Sequence, residues 1–238
     1  MNHNRKDLHI MMIIGAVANG LAVGIGGLIG LLFKRGIPER MKLLVMQALG
    51  VTVLYVGISG SLKGHNTVYV VLSLVFGAIL GELVDFDRQF TRLGAWLERT
   101  LNMGSDARIA DGFVTATLFV CVGAMGIVGS LQSGMSGNNS VLFTKSMIDG
   151  IFVLVLGSTM GIGVCFAAVP VFGYEAILTL LANTVAGVFT QTVIDEMTCV
   201  GSLLILMIGL NMLKLTQIKV ANLILAPFFP ILFYAIFS

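Results

Sequence analysis

Eight apolar runs, each about long enough to cross a bilayer, constrain most of what this chain can become. They fall at 10–33, 43–62, 67–84, 111–131, 146–168, 171–189, 194–213 and 219–237 of the 238 residues. About 20 helical residues span a hydrocarbon core, and in lipid only helices or closed barrels satisfy their own backbone groups. The runs are continuous rather than alternating, so they predict helices. Charged residues make up 11% of the chain and hydrophobic ones 57%, with a mean hydropathy of +0.98. Soluble domains carry about 25% charged residues. The expected fold is therefore an all-α integral membrane protein with one transmembrane domain over 1–238 and about eight transmembrane helices. Seven spans with a re-entrant segment at 171–189 is the alternative. The first run is too long for a signal-peptide core and is expected to stay as an anchor.

Composition removes several function classes. A net charge of +2 is too small to argue for nucleic acid. Cys121, Cys165 and Cys199 sit within apolar runs, and an odd, buried set makes a poor disulfide framework. His3, His9 and His65 fall in polar ends or loops, and no HExxH or CxxC occurs, so a His/Cys zinc site is not expected. Nothing in the sequence calls for a cofactor, and no nucleophile–base set marks an enzyme.

Orientation follows Lys and Arg, which concentrate in cytoplasmic loops. The first loop carries Lys34, Arg35, Arg40 and Lys42, the 3–4 segment carries Arg88, Arg92, Arg99 and Arg108, and the last loop carries Lys214 and Lys219. With both termini outside, ten of the 14 basic residues are cytoplasmic, leaving Arg5, Lys6, Lys63 and Lys145 outside. Within 85–103, Phe86, Phe90, Leu93, Leu97 and Leu101 recur at helical spacing, and Arg88, Arg92, Glu98 and Arg99 take other faces. This predicts an amphipathic helix on the cytoplasmic membrane surface, with Trp96 as an interface anchor.

Glycine is abundant, at 29 residues. Gly20/Gly24, Gly26/Gly30, Gly77/Gly81 and Gly157/Gly161 are GxxxG pairs, whose spacing puts both glycines on one face where another backbone approaches closely. Such faces predict tight helix packing and support homo-oligomerisation. A weak internal repeat relates 10–84 to 146–237. Asn19-Gly20 precedes Gly27 at the offset by which Asp149-Gly150 precedes Gly157, and Gly50 and Lys63 share a spacing with Gly201 and Lys214.

Polar residues inside the apolar runs carry the functional argument. A charge at the bilayer centre costs about 2.5–3.5 kcal/mol on insertion scales, so intramembrane acids face a cavity or a partner. Asp149 lies inside the fifth run and is the leading ligand or proton carrier. Asn19, Glu175, Asn183, Asp195 and Glu196 are its candidate partners, with Glu175 and Asn183 two turns apart. Thr115 and Thr117 add hydroxyls. Asp111 and Asp195 also suit helix capping. Few basic residues are placed deep enough to neutralise these acids, which leaves protons, cations or water. Oxygen ligands of this kind suit hard cations such as Na⁺.

The segments "IPERMK", "MQALG", "LSLVFGAILGE", "GFVTATLFVCVGAMGIVGSLQSG", "TKSMIDG" and "IKVANLILA" resemble the YqgA/YdfK-type bacterial multi-pass membrane proteins, over about 15–226. The resemblance implies a bacterial cytoplasmic (inner) membrane location and a family of unknown function, described as membrane proteins and candidate transporters. It supplies no substrate and no site residues. The residues themselves point to a transporter or channel for a small ion or solute, most simply a cation or a proton-coupled substrate. The alternative is a non-transporting membrane scaffold or sensor assembled through its glycine faces. The metal or ion is left open.

Overall fold

Glycines decide how the helices meet. The structure is a computed structural model and describes residues 3–34, 38–100, 109–121 and 123–237. Among these residues the α-helices are α1 (His3–Lys34), α2 (Glu39–Ser61), α3 (Thr67–Val84), α4 (Phe86–Thr100), α5 (Ile109–Cys121), α6 (Ala124–Ser136), α7 (Ser140–Met160), α8 (Ala168–Val185), α9 (Gln191–Met212) and α10 (Phe229–Phe237). No strand occurs among the described residues. Residues 101–103, Arg35 and Arg108 lie outside them, as do the side chains of Arg5, Lys6, Lys34, Lys42, Leu93, Leu97 and Glu98.

Along α1, Gly26 lies against Gly150 and Gly30 against Leu154 of α7, so α1 and α7 run parallel. Gly20 and Gly24 of the same helix face Phe172 and Ala168, so α8 runs back antiparallel to α1. Gly50 and Gly60 of α2 meet Leu213 and Ser202, which makes α2 and α9 antiparallel. Gly77 and Gly81 of α3 meet Ala226 and Asn222 of the last segment. An all-spanning order follows. Arg40, Arg88, Arg92, Arg99, Lys214 and Lys219 end at one face of the bundle, called the basic face below. The start of α1 and the end of α10 lie at the opposite face.

Among the described residues, seven segments are long and apolar enough to cross a membrane, and α5 and α6 pass the same test only together, as a pair bent by 60°. The segment read as 171–189 is not re-entrant. With the 3-10 turns at Ile162–Ala167 it forms an apolar stretch over Ile162–Val185, running from the level of Gly27 to that of Gly134.

Four expectations need correction. The 111–131 run is two helices, because Gly123 adopts an extended conformation that stops α5 and restarts the chain as α6. The 146–168 run begins earlier, at Ser140, and its α-helix stops at Met160. The 219–237 run is α-helical only over Phe229–Phe237, preceded by 3-10 turns at Val220–Leu223 and Ala226–Phe228. Gly161 lies past the end of the helix, so it does not share a helical face with Gly157. It ends α7 with φ 86°, a left-handed conformation that favours glycine.

The other expected packing glycines face neighbours, but unequally. A Cβ at Gly26, Gly30 or Gly81 would collide with a carbonyl group, and one at Gly157 would come within 2.7 Å of the Gly27 carbonyl oxygen. At Gly24 it would make ordinary contact, 3.6 Å from Ala168. These faces are used inside the chain. The short α4 follows a left-handed turn at Asp85 (φ 53°) and packs Phe90 edge-on against Phe113 of α5 at 5.4 Å. Arg88, Arg92, Arg99 and Trp96 of α4 are exposed.

The contrast within α1 is measurable by unfolding in detergent. Gly30→Ala forces α1 from α7 and should destabilise by about 1–3 kcal/mol, as overpacking does. Gly24→Ala should be neutral or stabilising by up to about 1 kcal/mol, because alanine favours helix.

Candidate functional site

Asp149 stands nine residues after Ser140, so it lies in the third turn of α7, well beyond the reach of a capping role. Lys145 precedes it by one turn on the same face, the spacing at which helical side chains meet. Their ion pair is short and buried, with side chains 5% and 8% exposed. Such burial separates it from surface pairs, which contribute little. The Lys145 ammonium also lies 3.4 Å from Glu175 Oε1 of α8. Asn19 of α1 closes the cluster: its amide nitrogen donates to Asp149 Oδ2 at 3.0 Å and to Glu175 Oε1 at 2.7 Å.

Close helix approach makes this possible. The α1–α7 seam brings the equally spaced residues of the two helices against each other, Asn19 against Asp149 and Gly27 against Gly157. Gly126 in the first turn of α6 lets that helix lie against the Lys145 stem and Glu175. A Cβ there would come 3.3 Å from Lys145 Cε and 3.8 Å from Glu175 Oε1. Two carboxyl groups thus share one ammonium. Glu175 Oε2 and Asn19 Oδ1 have no hydrogen-bond partner among the described residues. Both are oxygens able to accept from a proton donor or coordinate a monovalent cation.

The cluster borders space. A cleft of about 310 Å³ near the opposite face has Lys145 and Asp149 in its lining, with Lys63, Ser59, Ser202 and Phe119. A second cavity, of about 380 Å³ at the basic face, is lined by Asp87, Asp111, Thr115, Ile208, Asn211 and Lys214, among others. Between them the linings come within one turn on two helices: Thr115 and Phe119 of α5, Ile208 and Ile205 of α9. Four residues of helix rise about 6 Å. Phe119 stacks face to face on Phe152 of α7, with ring centroids 3.5 Å apart. A smaller, almost wholly apolar cavity of about 180 Å³ lies beside the helix break, lined by Thr117, Cys121 and Tyr174.

The expected site residues thus divide. Asp149, Asn19 and Glu175 meet. Asn183 does not: it is exposed on α8, although two turns from Glu175. Glu196 is buried elsewhere, accepting the backbone N–H groups of His65 (2.8 Å) and Asn66 (2.6 Å), and so ties the α2–α3 loop to α9. Asp195 pairs with the His65 ring at 3.3 Å and accepts from Gln191 at 2.9 Å. Thr115 lines the basic-face cavity and Thr117 the small apolar one.

Lys145 corrects the sequence reading twice. It is 4% exposed rather than an outer loop residue, and it supplies the cation the acids were thought to lack. Its four-residue spacing from Asp149 was the signal for it. Removing one member of a buried ion pair typically costs about 3–5 kcal/mol, whereas apolar replacement of the whole set is tolerated. Lys145→Met should therefore lower unfolding stability by that amount, and Lys145→Met combined with Asp149→Asn and Glu175→Gln should recover most of it.

Comparison with known proteins agrees with this architecture. No solved structure matches the chain. The uncharacterized membrane protein YdfK of Bacillus subtilis (strain 168) is 30% identical over 88% of this chain and 90% of its own length. The uncharacterized protein YqgA of Escherichia coli (strain K12) is 26% identical over 90% of this chain and 92% of its own. The model of the family described as "Protein of unknown function (DUF554)" matches residues 14–235, and the chain, an all-α multi-pass membrane protein, belongs to that family.

Proposed function

We propose that this protein is a transporter that moves a small solute across the membrane coupled to a proton or a monovalent cation. One observation carries the reading. Two cavities reach inward from opposite faces and stop one helical turn apart, and the deeper flank of one is lined by a buried, charge-imbalanced cluster. A scaffold has no need of either feature. The path runs between α2, α5, α7 and α9. Asp149 is the ligand that meets solute or coupling ion, Glu175 and Asn19 complete the coupling site, and Lys145 holds the two carboxylates together. The excess negative charge is neutralised by the coupling proton or cation, accepted at Glu175 Oε2 or Asn19 Oδ1. The Phe119–Phe152 stack is the barrier that keeps the two cavities apart. The break at Gly123 is the hinge, since a discontinuous span is where transporter helices pivot around a site.

The basic face is cytoplasmic on the positive-inside rule. That places both ends of the spanning region outside the cytoplasmic membrane of a bacterial cell. The protein performs no covalent chemistry in this reading. Subunits self-associate through the exposed apolar faces of α2 and α3, because the glycine seams are filled within the chain.

Two experiments test the reading in proteoliposomes on a solid-supported membrane, stepped through H⁺, Na⁺ and K⁺ with a pH dye inside. Wild type should give an ion-specific signal that falls at least about tenfold in Asp149→Asn, the order expected when one charge-bearing ligand of about 1.4 kcal/mol or more is lost. Silence of folded wild type in both readouts, or an unchanged signal in Asp149→Asn, would overturn it. Phe119→Ala opens the barrier and should raise uncoupled leak while leaving its dependence on the same ion; a leak equal to wild type would remove the stack as barrier.

A further inference from the structure

The charges of the buried cluster do not match one to one. Asp149 and Glu175 each meet the same cation, Lys145. The three residues are 6%, 1% and 4% exposed, and Asn19, which bridges the two acids, is fully buried. An uncompensated charge at such depth is costly enough that a titratable group gives it up and becomes neutral. Lys145 as ammonium balances one carboxylate. The second carboxyl group reaches neutrality by keeping its proton, as happens when two carboxylates share one site. The other groups facing the cluster leave this count unchanged. Cys121 of α5 and Tyr174 of α8 lie within electrostatic range of Glu175, and a thiol and a phenol are ordinarily neutral at neutral pH. From α1 comes the uncharged Asn19 amide and from α6 the Gly126 backbone.

The two acids are not equivalent. Asp149 Oδ2 accepts from both the Lys145 ammonium and the Asn19 amide, and such donors favour the charged form. Asp149 also lines the cleft. Glu175 lines none of the three cavities. Its Oε1 accepts from Asn19 at 2.7 Å and stands 3.4 Å from the ammonium, while Oε2 is buried without a partner. A proton on Oε2 turns an orphan acceptor into a donor. Acceptors without a partner of their own are present at Asn19 Oδ1 and at Thr179 Oγ1, one turn further along α8. A metal ion suits the place less well. Hard cations take several oxygens at once, and one bound to Glu175 would share that carboxylate with the ammonium. A proton needs a single oxygen.

We propose that Glu175 is a carboxylic acid with its proton on Oε2, beside the charged pair of Asp149 and Lys145, and that the ion this site takes is H⁺ rather than Na⁺ or K⁺. The protonation state stands on burial and hydrogen bonding; that this proton moves with solute rests on the transporter reading. The shared ammonium links the two acids. When Asp149 loses its charge, Lys145 has Glu175 as its sole counter-ion, the Oε2–H bond breaks and the proton leaves to water.

Infrared spectroscopy of the full chain in phosphatidylcholine membranes at neutral pH reads protonated carboxyl groups by a C=O stretch that ionised ones lack. Differences are taken against wild type, so that acids elsewhere, Glu196 included, cancel. Glu175→Gln should remove the intensity of one group. Asp149→Asn should remove the same amount, although Glu175 is still present, because Lys145 then pairs with Glu175. Lys145→Met should instead add that amount, since both acids then hold protons. NaCl or KCl added at constant pH should leave the wild-type band unchanged.

Undiminished intensity in Glu175→Gln would overturn the assignment, whichever other acid then carries the proton. Undiminished intensity in Asp149→Asn would overturn the charge balance behind it. A wild-type band that falls as Na⁺ or K⁺ is added would make a metal ion the occupant. The expected bands without flux in proteoliposomes would sink the transporter reading and leave the protonated Glu175 standing; ion flux in a protein lacking the Glu175 band would do the reverse.

Discussion

Everything at the centre of this protein depends on how closely α1 approaches α7. Glycines at 26, 30 and 157 remove the side chains that would hold the two backbones apart, and the helices meet carbonyl against glycine. In lipid there is no hydrophobic force between helices, so association relies on such packing and on interhelical hydrogen bonds. The seam supplies both. It sets the register that puts the Asn19 amide against Asp149, and α8, packed on the other flank of α1, then delivers Glu175 to the same amide.

A cluster so assembled is expensive to bury, and its cost explains its composition. The Lys145 ammonium lies between two carboxylate groups and Asn19 spans them, so each charge finds a partner without water. The site holds two carboxyl groups for one ammonium and lies next to a cleft. The same imbalance in a sealed core would be pure loss of stability.

The broken span gives the cluster its access. Gly123 interrupts α5–α6 at the depth of Lys145, and both the cleft and the small apolar cavity touch that break. Below it Phe119, which lines the cleft, stacks on Phe152 of α7. The lower cavity is itself roofed by α4, held in place by Asn222. That side chain accepts the Asp87 N–H at 2.7 Å and donates to Glu82 at 2.6 Å.

Hydropathy alone determined that the chain crosses the membrane as helices, roughly where each span lies, and that Asp149 is an acid without an easy place in lipid. Those properties are local, because transfer free energy depends on what each residue is. Paired spacing also marked Gly26, Gly30 and Gly81 as contact points. Only the tertiary structure decided which polar residues meet. Asn19, Asp149 and Glu175 are 130 and 156 residues apart in sequence and share a site through helix register, while Asn183, on the expected face of α8, points away. Lys145 was misplaced for the same reason. A loop boundary drawn from hydropathy puts a lysine outside, yet an ion pair one turn along the helix holds it in. The break at Gly123 was equally hidden, since its flanks are as apolar as any span. A stop in the middle of a helix depends on backbone conformation, which the neighbouring helices select and composition does not record.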